Sequence, residues 1–286
     1  MLAPSAAPAG AEQIPSAQDE NAFAAILGVL GERSGVDFRR YRLGTVRRRV
    51  LNRMLSARTR TFEDYLRLLR ADADEAQHLL SRVTIKVSRF YRNAVTFDVL
   101  REQVIAEWAA RRCDSPLQIL SAGCGRGEEP YTLAMLLEDA GVPGTVEAMD
   151  IDSQALTAAA VGLYDEAALD ELPPELRQRY LEPEGQRFRV CDPVRRRVGF
   201  TRQDITALTA ASLQRQYDLV CCRNVLIYLE REMQEHTLST LLRFIRPGGF
   251  LCLGEAEWPM PQFAASLQPL PHKTRIFRLY PGITHS

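Results

Sequence analysis

The amino-acid sequence predicts an α/β fold, a largely parallel sheet covered by helices on both faces, preceded by a small all-helical domain. Three observations carry this expectation. From about Asn21 to Arg92 every apolar period is helical. Beyond it, short apolar runs bounded by turn residues alternate with amphipathic segments, the grammar of doubly wound sheets. Finally, "SAGCGRGEEPYTLAM", from Ser121, passes from a strand-like run through Gly123, Gly125 and Gly127 directly into a helical period.

Taken in order, residues 1–18 are rich in Ala, Pro and Ser and lack the basic and apolar regions of a secretory leader, so they read as a disordered tail. The helical domain is expected over 19–85. "NAFAAILGVLGERSG" is a helix closed by Gly35, "FRRYRLGTVRRRVLNRMLSAR" a basic helix, "TFEDYLRLLRAD" a helix capped by Thr61 and Asp64, and "DEAQHLLSRVTI" a fourth. A linker at 86–93 leads into the α/β domain, expected over 94–286. Its elements read as helix "AVTFDVLREQVIAEWAARR", strand "LQILSAG", helix "EPYTLAMLLEDA", strand "TVEAMD", helix "DSQALTAAAVGLY", strands "RVGFTRQD" and "YDLVCCRN", helix "EREMQEHTLSTLLRFI", turn "RPGG" and strand "FLCLGEAE". The ending "KTRIFRLYPG" is a last strand able to return antiparallel. At about 172–200, Pro and Gly punctuation with "RFRV" and "RRRV" predicts a small inserted β-subdomain.

Composition narrows the function. Across 286 residues, 36 Lys and Arg balance 36 Asp and Glu, which removes any global electrostatic case for nucleic acid or a membrane surface. No apolar run is long enough to span a bilayer. The six cysteines form no C-x-x-C pair and no metal-ligand spacing with histidine, so reduced thiols in a cytoplasmic protein and no metal site are expected.

The glycine turn by itself fits many ligands or none. Phosphate sites use bare amides and a basic side chain at a helix N-terminus, whereas here Glu128 and Glu129 favour a cation. Asp150 ends the second strand, where a carboxylate can accept both hydroxyls of a ribose. A ligand with a ribose, an ammonium and no phosphate is S-adenosylmethionine (SAM). Asp204 with Ile205, and Arg223 with Asn224, end two further strands and converge on the same cleft; Tyr228 follows. The plainer alternatives are a turn that merely connects, a Glu128 that only complements the helix dipole, and a Tyr228 that only packs.

The strings "VSRFYRN", "GRGEEPYTLAM", "MDIDSQAL", "CCRNVLIYL" and "RPGGFLCLGEAE" resemble the CheR family of chemotaxis receptor glutamate O-methyltransferases, over about Asn21 to Leu279. The resemblance implies an all-helical N-terminal domain, a Rossmann-like SAM-dependent methyltransferase domain with a small β-subdomain, and methyl transfer to glutamates on the cytoplasmic helical region of chemoreceptors. It assigns cofactor contacts to Lys86, Ser88, Arg92, Gly123, Glu129, Asp150, Asp204, Ile205, Arg223 and Asn224, catalysis to Arg92 and Tyr228, and S-adenosylhomocysteine as product. Two departures stand out: Lys86 replaces the family's Asn in the linker, and Glu255 replaces its His in "LGEAE".

A glutamate carboxylate is ionised near neutral pH and needs no general base, so alignment and desolvation are the enzyme's task. Arg92 would steer the carboxylate and Tyr228 would hold one of its oxygens. On a helical wheel, Arg42, Arg48, Arg49 and Arg53 form a basic stripe opposite Leu43, Val46, Val50 and Met54. The stripe is either a solvated face or, as the family implies for Arg42, Arg49 and Arg53, a docking surface for acidic receptor helices. "LEPEGQRFRVCDP" is short beside the loop that some members use to bind a receptor C-terminal pentapeptide, so tether-independent recognition is expected. Competing readings are RNA or small-molecule methylation, and SAM sensing without turnover.

Overall fold

The computed structural model describes residues 17–84, 88–110, 115–212, 215–271 and 274–280. Lys86, Cys113 and the tail up to residue 16 lie outside them. The chain divides into two compact units: the helical segments up to Arg39 together with Leu43–Val83, and Arg40–Arg42 together with the chain from Thr84 onward.

The first unit holds α1 (Ala17–Ser34), α2 (Leu43–Ser56), α3 (Phe62–Ala71) and α4 (Ala73–Val83). Helix α1 starts two residues inside the expected tail and stops at Gly35, whose φ of +73° is the left-handed conformation that ends helices. Thr61 caps α3 as its spacing predicts, accepting from the Asp64 amide at 3.1 Å and donating to the Asp64 carboxylate at 2.8 Å. The expected continuous basic helix is broken. Phe38–Arg40 form a 3₁₀ turn, Tyr41 pairs in β-bridge fashion with Leu229, and only then does α2 begin.

In the second unit α5 (Ala94–Val99) continues through a π-helical segment, Leu100–Ile105, into α6 (Ala106–Ala110). Then follow β1 (Leu117–Ala122), α7 (Glu128–Asp139), β2 (Gly144–Asp150), α8 (Ser153–Val161), β3 (Leu163–Asp165), α9 (Pro174–Tyr180), β4 (Leu181–Glu184), β5 (Arg187–Val190), α10 (Asp192–Arg195) and β6 (Val198–Arg202). The chain ends through β7 (Tyr217–Cys222), α11 (Arg231–Arg243), β8 (Ile245–Leu253), β9 (Leu267–Pro269) and β10 (Ile276–Leu279). The main sheet has the order β6-β2-β1-β7-β8-β10-β9, parallel except for β10, which runs antiparallel to β8 and β9. Alternate residues of β7 serve opposite cores: Leu219 and Cys221 join the layer of α5–α7, Val220 and Cys222 that of α11. That burial on both faces is why these strands read as continuous apolar runs.

Three expectations change. "RPGG" lies inside β8, where pairing jumps from Tyr217↔Ile245 to Leu219↔Phe250. "RRRV" is not a strand, because Asp192 and Pro193 start the short helix α10. The β-subdomain has the order β3-β5-β4 and takes its first strand from Leu163, since Gly162 at φ +68° stops α8 before Leu163 and Tyr164.

Candidate active site

Sheet order reverses at β1: the chain moves outward through β2 to β6 on one side and returns to start β7 on the other. Such a switch point opens a crevice beyond the carboxyl ends of the strands, and ligands of open α/β sheets occupy it. Gly123, Asp150, Asp204 and Arg223 all stand at or just past these ends.

The glycine turn is built tightly. Gly123, at φ +80°, donates to the Met149 carbonyl at 2.8 Å, and a Cβ on it would meet Val225 Cγ2 at 2.4 Å. Gly125, at φ +56°, has open space where its Cβ would stand, so the backbone there is bare. Beneath it Asp150 Oδ2 accepts from the Gly125 amide at 2.8 Å, and Oδ1 accepts from the Asp152 amide at 2.9 Å. The loop and the carboxylate therefore fix one another.

The two glutamates part company. Glu128 is buried, hydrogen-bonded to Ser88, and among the described residues its Oε2 has no partner. Burial pushes its carboxyl up from the ordinary range, against the lowering effect of its own amide, Ser88 and Arg126. Glu129 points to the crevice side: Oε1 accepts from Ser121 Oγ at 2.8 Å and Oε2 from Arg223 Nη1 at 3.2 Å. Asp204 Oδ1 takes both the amide and the hydroxyl of Thr206 at 2.8 Å, and no hydrogen bond among the described residues falls on Oδ2. Ile205 is buried beside it.

Arg223 is buried, and its Nη2 donates to the Arg92 carbonyl at 2.7 Å and to Asn93 Oδ1 at 2.8 Å. Its guanidinium lies 5.0 Å from the Phe97 ring centre. Through these bonds and its pair with Glu129 it aims that carboxylate and clamps the linker. Arg92 is half-buried between Tyr91 and Asn93, both left-handed at φ +57° and +65°. Asn224 is left-handed too, at +59°. Such backbone costs about 1–3 kcal/mol per residue and persists where the surroundings over-determine it. Here the Tyr91 amide donates to Thr132 Oγ1 at 3.1 Å and the Asn93 amide to Glu171 at 2.8 Å.

For Asn224 the over-determining group is Glu257, which the sequence reading passed over. Its buried carboxylate accepts four amides: Asn224 and Gly254 on Oε2 at 2.9 and 2.7 Å, Val225 and Ile227 on Oε1 at 2.9 and 3.3 Å. One side chain thus shapes the 3₁₀ turn that ends in half-buried Tyr228. The signal lay in the last letter of "LGEAE", whose first glutamate, Glu255, is exposed.

The arginines of the basic stripe have different surroundings. Arg53 forms a bidentate pair with Glu75 at 2.8 and 2.5 Å, and Tyr65 donates to the same carboxylate at 2.7 Å. Arg49 caps the end of α4, donating to the carbonyls of Arg82 and Val83. Arg42 lies outside the helix, its amide bonded to the Tyr228 carbonyl at 2.8 Å and its side chain exposed. Arg48 stays exposed, and Leu43 is exposed instead of buried.

Residues 86–275 match the family described as CheR methyltransferase, SAM binding domain, and residues 21–84 match CheR methyltransferase, all-alpha domain. The chain belongs to the CheR methyltransferase family. A chemotaxis protein methyltransferase of Listeria monocytogenes is 30% identical over 227 residues, covering 78% of this chain and 84% of the relative. A probable biofilm formation methyltransferase, WspC, of Pseudomonas putida is 33% identical over 231 residues, 80% of this chain and 54% of that protein. A 104.1 kDa protein of Rhodobacter capsulatus is 33% identical over 252 residues, 86% of this chain but only 26% of its own length. The chain thus spans about half of one of these relatives and about a quarter of another.

The family's cofactor fits the residues present. A bare glycine turn, a carboxylate beneath it at Asp150, a second at Glu129 and an open carboxylate oxygen on Asp204 suit a ribose, an ammonium and an amino group in turn. No thiol competes as a nucleophile among the described cysteines. All are buried, and burial pushes Cys124, the one in the glycine turn, well up.

Proposed function

We propose that this CheR-family methyltransferase esterifies glutamate side chains on the cytoplasmic helical region of chemoreceptors, producing S-adenosylhomocysteine and working in the cytoplasm without a metal. The observation that carries the reading is the set of three carboxylates around a bare glycine turn: Glu129 in the first turn of α7, Asp150 at the end of β2 and Asp204 just past β6. When bound, SAM supplies the methyl group as an electrophile on a sulfonium. Glu129 would hold the ammonium, Asp150 the ribose hydroxyls, and Asp204 with Ile205 the adenine. Gly123 leaves room for the turn, Ser88 and Asn224 border the site, and Lys86 belongs with them by resemblance. Arg92 steers the incoming carboxylate without quenching it, and Tyr228 holds one of its oxygens in line. No residue need act as a base, because the acceptor is already ionised.

Arg42, exposed next to Tyr228, supports docking of an acidic partner; within the helical unit Arg48 is exposed, whereas Arg49 and Arg53 are engaged there. The β4–β5 hairpin turns through only Gly185 and Gln186, which supports recognition independent of a receptor pentapeptide. Incubation with radiolabelled SAM and receptor-bearing membranes tests the whole reading. Label should leave in mild base as methanol. Base-stable label would replace the ester with another acceptor, RNA included, and cofactor binding without any transfer would leave a SAM sensor.

A further inference from the structure

Arg40–Arg42 belong to the sheet-containing unit although they fall in sequence between the helical segments of the other. Arg40, the last residue of the 3₁₀ turn, leads through the β-bridged Tyr41 to Arg42, and the three form a strap. At one end Arg40 Nη1 donates to the carbonyl and hydroxyl of Thr206, at 3.0 and 3.4 Å, in the turn after β6. At the other, the Arg42 amide donates to Tyr228 at 2.8 Å and Arg42 Nε to Leu229 at 3.3 Å, in the turn after β7. The Glu230 amide closes the pairing on the Arg40 carbonyl at 3.1 Å.

Between β6 and β7 in the sheet lie β2 and β1. Three strand spacings are about 14 Å; the two Cα steps from Arg40 to Arg42 span at most about 7 Å, and the long Arg40 side chain, which bonds Thr206, gives the strap the rest of the reach across the ends of β2 and β1. Those ends carry Asp150 and Gly123. The middle residue of the strap is Tyr41, which, like Met149 of β2, packs against the core cluster that contains Ile205. Its surroundings agree with that position: burial, then the charges of Asp204 and Asp150, push its phenol well above the ordinary range, against the opposing effect of Arg40.

We infer that Tyr41 is a wall of the cofactor site, its ring covering the adenosine between Asp150 and Asp204 on the face opposite Ile205. This rests on the SAM reading of the crevice. An adenine offers two flat faces, and an aliphatic side chain on one with an aromatic ring on the other is an efficient way to remove both from water. Neither motif nor spacing exposed Tyr41, because it is remote in sequence from every strand of the sheet.

Calorimetric titration of the full chain with S-adenosylhomocysteine tests this. Tyr41→Ala should weaken binding tenfold or more, and Tyr41→Phe should stay within threefold of the parent. In Tyr41→Trp, fluorescence should be quenched by the ligand along the calorimetric binding curve, well beyond the response of the parent's Trp108 and Trp258. Parent protein that does not bind the ligand would overturn the SAM reading itself. A parent that binds, with Tyr41→Ala within twofold of it, would overturn the role of Tyr41 alone. Should Tyr41→Ala not fold, an unquenched but ligand-binding Tyr41→Trp would overturn it instead.

Discussion

The helical unit and the strand ends of the sheet use charge in opposite ways. In the first, arginines turn inward as struts. Arg53 neutralises Glu75, Arg49 caps α4, and Arg33 donates to the carbonyls of Arg70 and Asp72 at the end of α3. Along the crevice, carboxylates gather backbone amides and hydroxyls: Asp150 holds the glycine turn, Asp204 holds Thr206, and Glu129 holds Ser121. Glu257, one layer behind, does only the holding. A run of like charge on a helix therefore tells little about partners until the acceptors around it are known. Carboxylates at strand ends tell more, because sheet topology decides where they meet.

The largest effect should come from breaking a strut. With side chains 18% and 6% exposed, Arg53 and Glu75 form a largely buried pair, and Arg53→Ala should cost ~3–5 kcal/mol of stability by leaving Glu75 unpaired. A denaturation midpoint measures it. A midpoint unchanged, with receptor methylation lost, would return Arg53 to docking. The pair also sets an acid limit. Burial pushes Glu75 up, but the hydrogen bonds from Arg53 and Tyr65 outweigh it and hold the carboxyl below its ordinary value. Its contribution is thus complete above the unfolded carboxyl's pKa, about 4.3, and disappears as pH falls through the folded value. Stability measured against pH should show this loss in the parent and lack it in Glu75→Gln.

Next in size, Asp150→Ala should weaken S-adenosylhomocysteine binding by roughly 2–3 kcal/mol, the scale of charge-assisted hydrogen bonds, with most of the turnover loss expressed as cofactor affinity. Tyr228→Phe should leave that affinity nearly intact and lower turnover about tenfold or more. Equal affinity losses in both would erase the division between holding and aligning residues. Glu257→Gln sets an amide group against two of four N–H donors, which should cost ~1–3 kcal/mol of stability by the penalty for unsatisfied donors. Smallest of all, Thr61→Ala removes the α3 cap for about 1 kcal/mol, with no effect on cofactor binding.

Much of the fold was readable because its signals are local. The strand–helix alternation, the Thr61 cap and the stop at Gly35 all follow from residues within a few positions of one another. The misreadings concern places where distant contacts override the local pattern. "RRYRLG" continues a helical period, yet Tyr41 pairs with Leu229, 188 positions away, and the helix cannot start until Leu43. Leu163 and Tyr164 extend the apolar run of α8, but pairing with β5 takes them into a strand. The place of Arg223 after β7 is local, but its hydrogen bonds to Arg92 and Asn93 exist only once the linker has folded against it.

By itself the sequence determined the class of fold, the membership in the CheR family and the chemical kind of ligand, because periodicity, a glycine turn and acidic strand ends are written in consecutive letters. Tertiary structure decided which charges are available. A guanidinium or carboxylate satisfies the nearest partner in space, and apart from Gly254, three positions from Glu257, the partners of Arg53, Arg223 and Glu257 lie 22 to 131 residues away in the chain.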